Sequence, residues 1–175
     1  MRIIQDRRAL HQIPELGLDL PKTMEYVLKS LSGLNCRVLT PVGCAVCAFF
    51  DFGADSAIAF RADMDALPIQ EVNETEYASQ HPGKMHACGH DGHMAMLLEL
   101  ARRMHERRAN SNILLIFQPA EEAGTHGAAF LVKRGCMENP KVDKIFGLHV
   151  DDEREWGTLG TKAGAINAAS DMFDV

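Results

Sequence analysis

The sequence predicts an α/β domain, and three observations carry that expectation. Helix-like and strand-like segments alternate along the chain. Two of the strand-like runs, 57–62 and 112–118, are almost wholly apolar, as expected of strands covered on both faces. Polar residues able to do chemistry follow the strand-like runs directly: Asp63 and Asp65, Glu121 and Glu122, and His149. In open α/β sheets sites gather beyond the carboxyl ends of strands, so these distant segments are expected to converge on one rim.

The elements follow in order. Residues 1–11 read as a short helix with Ile3, Arg7 and Leu10 on one side, ended by Ile13-Pro14. A second helix starts near Asp19 as N-cap, with Pro21 in its first turn. Met24, Val27, Leu28, Leu31 and Leu34 recur along it at helical spacing, and Gly33 lies near its end. Strands are expected over 44–50 and 57–62, separated by the turn-rich Asp51-Phe-Gly-Ala-Asp-Ser56. After a polar stretch (70–84) and a His/Cys cluster comes a helix with Met94, Leu97, Leu98, Ala101 and Met104 on one face. A strand over 112–118 ends at Pro119, a short helix fills 127–135 with Gly135 as its stop, and a last strand covers 144–150. Ser111, Asn112 and Asp143 read as turn residues, and 165–175 as strand-like.

A chain of 175 residues with 46% hydrophobic content suits one domain with its own core. The net charge of -6 argues against nucleic acid as the main partner, because no basic face would neutralise phosphates. The doublets Arg102-Arg103 and Arg107-Arg108 read as the solvated face of a helix. No apolar run reaches membrane-spanning length, and the N-terminus turns charged where a signal peptide needs its apolar stretch. Five scattered cysteines, an odd number, suggest reduced thiols, so the expected location is the cytoplasm, away from membranes.

The chemistry concentrates in His86-Ala-Cys-Gly-His-Asp-Gly-His93, three histidines and a cysteine in eight residues at the start of a helix. Thiolate and imidazole are borderline-soft ligands that suit zinc and its neighbours. Gly89 and Gly92 allow the tight turn that aims several side chains at one point. The adjacent carboxylates Glu121 and Glu122 point in different directions on leaving a strand. One could therefore ligate a metal while the other takes a proton from activated water. Asp63 or Asp65 could orient a metal-bound histidine, and His149 closes the last strand as a further ligand candidate. Cys44-Ala-Val-Cys47 has metal or redox spacing but lies inside an apolar strand, which favours buried structural thiols.

Five motifs in order carry a resemblance: His11-Gln-Ile-Pro-Glu-Leu-Gly17, Arg61-Ala-Asp-Met-Asp-Ala-Leu-Pro68, Met85-His-Ala-Cys-Gly-His-Asp-Gly-His93, Phe117-Gln-Pro-Ala-Glu-Glu122 and Gly147-Leu-His-Val150. Together they resemble the M20 metallopeptidases, within them the aminoacylase-like branch that includes hippurate hydrolase, auxin-conjugate hydrolases and N-acetyldiaminopimelate deacetylase. The resemblance implies a three-layer αβα, zinc-exopeptidase-like catalytic domain with a mixed, mostly parallel sheet, incomplete at the C-terminus. It implies that Cys88, His90, Glu122 and His149 hold two divalent ions (zinc, manganese, cobalt or nickel), with Cys88 bridging. Glu121 matches the general base and Asp65 the residue that orients the site, while Asp63 falls where distant members carry a metal-binding His. His86 and His93 are expected to support the loop or line the pocket, and Asp91 to cap the following helix. The implied reaction is hydrolysis of N-acyl amino acids. By the same resemblance, 1–164 form the N-terminal part of the catalytic domain and 165–175 begin a lid through which the parent protein dimerises. Without that lid and the family's last metal-binding His, the chain alone is expected to bind metal weakly and turn over little. The competing expectations are a non-catalytic metal-binding remnant of such an enzyme, or a small zinc or redox protein built on Cys44 and Cys47.

Overall fold

The computed structural model describes residues 1–124 and 127–166. In chain order the elements are α1 (Arg2–His11), α2 (Pro21–Leu31), β1 (Arg37–Leu39), β2 (Val46–Phe50), β3 (Ala57–Asp63), α3 (His90–Glu106), β4 (Asn112–Gln118), α4 (Gly127–Lys133) and β5 (Val142–Gly147). The five strands form one sheet in the order β1-β2-β4-β3-β5. The β1–β2 and β2–β4 pairings are antiparallel, while β3–β4 and β3–β5 are parallel. Among the described residues the sheet is therefore mixed, with parallel and antiparallel pairings in equal number rather than mostly parallel.

Alternation along β2 and β4 explains their continuous apolar sequences. Val46, Ala48 and Phe50, with Ile113, Leu115 and Phe117, face one way and pack with Leu10, Val27, Leu31, Met94 and Leu98 of the first three helices. Cys47 and Phe49, with Leu114 and Ile116, face the other way and meet Leu131 of α4. Successive side chains of a strand point to opposite faces, so a strand covered on both has no polar side to show. Helices on both faces give the three layers.

Several boundaries differ from expectation for physical reasons. Asp19 does not cap α2; Leu20 occupies that position without a side-chain bond. Glu15 performs the task from the preceding loop: its carboxylate accepts the N–H of Lys22 at 3.3 Å and of Thr23 at 2.9 Å. A buried carboxylate at a helix N-terminus also complements the helix dipole. The sequence reading missed β1, a three-residue edge strand with largely exposed side chains and hence no apolar signal. Asn112 is no turn residue; buried at the start of β4, it accepts the N–H groups of Phe52 and Ala54 and donates to the Ala54 carbonyl. Asp143 lies inside β5. Arg102 leaves the solvated face, since its guanidinium pairs with buried Asp6 of α1 at 2.6 Å.

The topology prepares a site. β3, β4 and β5 are parallel, and their pairing brings Asp63 beside Gln118 and Arg61 beside Gly147. Their carboxyl ends therefore open on one rim, and α3 begins at the same rim with His90 as its first residue.

Candidate metal centre

Strand β3 ends at Asp63, and the chain continues through the buried Met64 and Asp65. Asp65 acts on both neighbouring segments. Its backbone carbonyl accepts the Nδ1–H of His90 at 2.7 Å. Its carboxylate accepts the N–H of Glu121 on one oxygen, at 2.9 Å, and of Glu122 on the other, at 3.0 Å. Burial pushes the Asp65 carboxyl above the usual carboxylate range, against the pull of those two N–H donors. Asp65 thus ties both segments to the end of β3, with its backbone rather than its side chain holding the histidine. The carboxylate holds the two glutamates. They follow a sharp turn at Ala120, whose φ of 53° is unusual for a residue with a Cβ and is tied by its own N–H to Gly17.

Fixing the Nδ1 proton of His90 leaves Nε2 with a free lone pair. This atom is buried without a hydrogen-bond partner, and so is Oε1 of Glu122. The two lie 3.7 Å apart, with Oε2 of Glu121 3.9 Å from the same nitrogen. On the other side Cys88 Sγ lies 3.4 Å from His149 Nε2, whose Nδ1–H donates to the Val150 carbonyl. Two donors on one tetrahedral ion, each about 2.0–2.3 Å from it, stand roughly 3.3–3.6 Å apart. The 3.4 Å between Cys88 and His149 fits that requirement, and the 3.7 Å between His90 and Glu122 lies just outside it. Two overlapping groups sharing His90 could each hold an ion: Cys88, His90 and His149, and His90, Glu121 and Glu122.

A third group, Asp63, His90 and His93, has similar spacing. Within it, Asp63 and His93 are already engaged. His93 Nδ1 donates to Asp63 at 2.6 Å, and His93 Nε2 accepts the N–H of Val150 at 3.0 Å. The second Asp63 oxygen accepts from Arg61 at 2.7 Å. Burial opposes ionisation of Asp63, yet the bond from His93 and the charges of His90 and Arg61 bring its carboxyl down to about 2. Asp63 therefore orients a histidine, but the histidine is His93.

His149 lies beyond the end of β5 rather than within it, because the strand runs from Val142 to Gly147 instead of 144–150. Its side chain is exposed, as is that of Glu121, so the centre opens to solvent on one side. A cleft of about 730 Å³ leads away from Cys88 and His149 toward Arg7, His11, Tyr77 and His86. His86 lines it as anticipated. Burial drops this imidazole to about 4, and neither ring nitrogen has a partner. The Cys88 thiol is pushed up to about 12 by burial and by the bond and charge of Glu122. Such acidic surroundings suit a bound cation, whose charge inverts the local preference and favours thiolate.

Asp91 is not the N-cap residue of α3, although its Oδ1 accepts the first-turn N–H of Gly92 at 2.9 Å. Gly89 holds the N-cap position at φ 87°, and a Cβ there would run into Val150. The Oδ2 of Asp91 anchors the helix to α1 through His11 at 2.7 Å and Arg7 at 2.9 Å. Sequence reasoning gave His11, Arg7, Arg61 and Glu71 no role. Asp91 lies far along the chain from His11 and Arg7, as does His11 from Glu71, while Arg61 joins its near neighbour Asp63 to the distant Gln118. Cys44 and Cys47 belong to none of the candidate metal groups among the described residues, and Cys47 is buried in the core.

Fold and donor set together define a candidate metal centre on an α/β sheet. The chain belongs to peptidase family M20/M25/M40, whose sequence profile matches residues 59–169. It is 42% identical over 170 residues to IAA-amino acid hydrolase ILR1-like 5 of Arabidopsis thaliana, covering 95% of this chain and 38% of that protein. It is 40% identical to N-acetyldiaminopimelate deacetylase of Leuconostoc citreum, covering 94% and 44%. Among solved structures it resembles YXEP of Bacillus subtilis, a dinuclear metal-binding peptidase of the M20 family. The TM-score is 0.80 at 37% identity, over 86% of this chain and 43% of that one. The chain thus spans about two fifths of the length of these relatives. Divalent metal is supported by that neighbour and by the donor groups.

Proposed function

We propose that the whole protein hydrolyses the amide bond of N-acyl amino acids, releasing a carboxylate and a free amino acid. The observation that carries this reading is the facing pair of buried, unpartnered atoms, His90 Nε2 and Glu122 Oε1, beside the exposed carboxylate of Glu121. Buried polar atoms without partners are costly, and a cation between these two would satisfy both. Cys88, His90, Glu122 and His149 would hold the two ions. Such ions supply Lewis acidity, polarising a carbonyl and making water easier to deprotonate.

Glu121 is the general base. Its neighbour is turned inward toward His90 while its own carboxylate reaches solvent, so it can take a proton from water and return it to the leaving amine. Asp65 keeps the two glutamates in these separate orientations. The substrate class rests on relatives named for acting on IAA–amino acids and on N-acetyldiaminopimelate. The five free cysteines favour a reducing compartment, the cytoplasm. A dimer through a lid that 165–175 begin is part of the same proposal, although 167–175 lie outside the described residues.

The test is amino-acid release from N-acetyl and N-aroyl amino acids, on this chain and on any longer product of its reading frame. Hydrolysis should vanish with a chelator and return with divalent metal. Glu121→Gln should keep the metal and lose at least about 10²-fold in rate, whereas Cys88→Ala should lose metal. Chelator-insensitive hydrolysis, or full activity in Glu121→Gln, would overturn the assignment. Stoichiometric metal without hydrolysis in the longest product would favour a binding remnant instead.

A further inference from the structure

We propose that His93 is a positioning residue that sets the His149 imidazole in place by gripping the backbone of Val150. The inference rests on the reading of His149 as a metal ligand.

His149 needs such support. The parallel pairing of β5 with β3 ends at Gly147, opposite Arg61, so the ladder no longer guides the chain where the imidazole leaves it. Among the described residues, the bond that ties this segment's backbone to the domain runs from the Val150 N–H to His93 Nε2. The Val150 side chain also rests over Gly89, where a Cβ would not fit. The two imidazoles meet edge to face, with ring centroids 4.6 Å apart. A tilt of His93 would therefore move both the backbone and the ring of its neighbour.

Only one tautomer of His93 can do this. Nε2 must be unprotonated to accept the Val150 N–H, so the proton must sit on Nδ1. Asp63 fixes it there by accepting that proton at 2.6 Å. Asp63 is itself held by Arg61, whose Nε–H donates to Gln118 at the end of β4. The chain of bonds runs from the ends of β3 and β4 through His93 to the segment beyond β5. Asp63 and His93 are both fully buried, which keeps competing water from the relay. Partners of this kind behind a metal ligand typically change metal affinity about 10–100-fold when removed.

Two measurements test it. The first is made without metal. Nitrogen shifts of the His93 ring in the 175-residue chain should report the Nδ1–H form, and the Val150 amide should exchange slowly. A protonated Nε2, or a Val150 amide exchanging at the rate of open coil, overturns the proposal whatever the metal does. The second is a Co²⁺ titration read by absorbance and affinity. His93→Gln keeps an acceptor for the Val150 N–H and should stay within about threefold of wild type. His93→Phe should lose about 10–100-fold, matching His149→Ala, and the double variant should be no worse than either single one. Additive losses, or equal binding by His93→Phe and wild type, would sink the idea. Unchanged binding by Cys88→Ala or His149→Ala would instead refute the metal reading and with it the positioning role, leaving the first measurement to report on the His93–Val150 bond alone.

Discussion

Asp65 has no exposed surface, and it offers the site three acceptors: a carbonyl to His90 and two carboxylate oxygens to Glu121 and Glu122. Removing the carboxylate leaves two N–H groups without partners in a partly buried turn, at roughly 1–3 kcal/mol each. Asp65→Ala should therefore destabilise the chain by about 2–4 kcal/mol in urea unfolding. Asp65→Asn should cost about half as much, because its amide oxygen still serves one of the two donors. Co²⁺ affinity should fall in the same order, since Glu122 loses the orientation that turns it toward His90. Equal stability of wild type and Asp65→Ala would show that the turn is held by something else. At this scale the sequence was informative about which residues matter and less so about what they do. Cys88, His90, His149, Glu121 and Glu122 are gathered at the rim, while Asp91 turns to α1. What sequence cannot supply is the partner of each: Asp63 went to His93 rather than His90, and the backbone of Asp65 did what its side chain was expected to do.

At the scale of elements, amphipathic periodicity located α1, α2 and α3, while the links between them stayed hidden. Asp91 lies in the first turn of α3 and its Oδ1 accepts the Gly92 N–H there, yet its Oδ2 is taken by His11 and Arg7 of α1. A bond between residues 80 positions apart leaves no periodic trace. This clamp has a pH signature. The bond that His11 donates to Asp91 raises it above its ordinary 6.5, outweighing burial, with a further hydrogen bond accepted by Glu71. Burial opposes ionisation of Asp91, but the His11 bond and the charges of His86 and Arg7 still hold it below 3.8. A raised histidine contributes stability in full below its unfolded pKa and loses it as pH rises through the folded one. A lowered carboxylate contributes above its unfolded pKa and loses it as pH falls through the folded one. The pair therefore stabilises most between 3.8 and 6.5. Urea midpoints of the metal-free chain should decline above about pH 6.5, and His11→Gln should flatten that decline while lowering the plateau. An unchanged profile in His11→Gln would remove the clamp from the account.

At the scale of the molecule, the rim was legible because apolar runs ended in polar residues three times over. Strand order was not, since nothing local says that β4 inserts between β2 and β3. The same order leaves β5 at the edge of the sheet with β3 as its neighbour among the described residues. Although its sequence reads as that of a covered strand, Ile145 and Phe146 are about half exposed, as are Leu148 and Val150 just beyond it. Phe146 is partly sheltered by stacking on Phe60 of β3, with centroids 5.7 Å apart, whereas Ile145 has no such partner. An apolar edge with unpaired N–H and C=O groups is a template for another strand. The chain by itself should consequently self-associate, with a sedimentation coefficient that rises with concentration across the micromolar range. Ile145→Lys places a charge on that edge and should shift the equilibrium toward monomer by about tenfold or more. Because Ile145 lies on the strand rather than at the rim, Co²⁺ affinity should change little. A wild-type chain that stays monomeric throughout, or an Ile145→Lys chain that associates as strongly, would show that this edge is already protected.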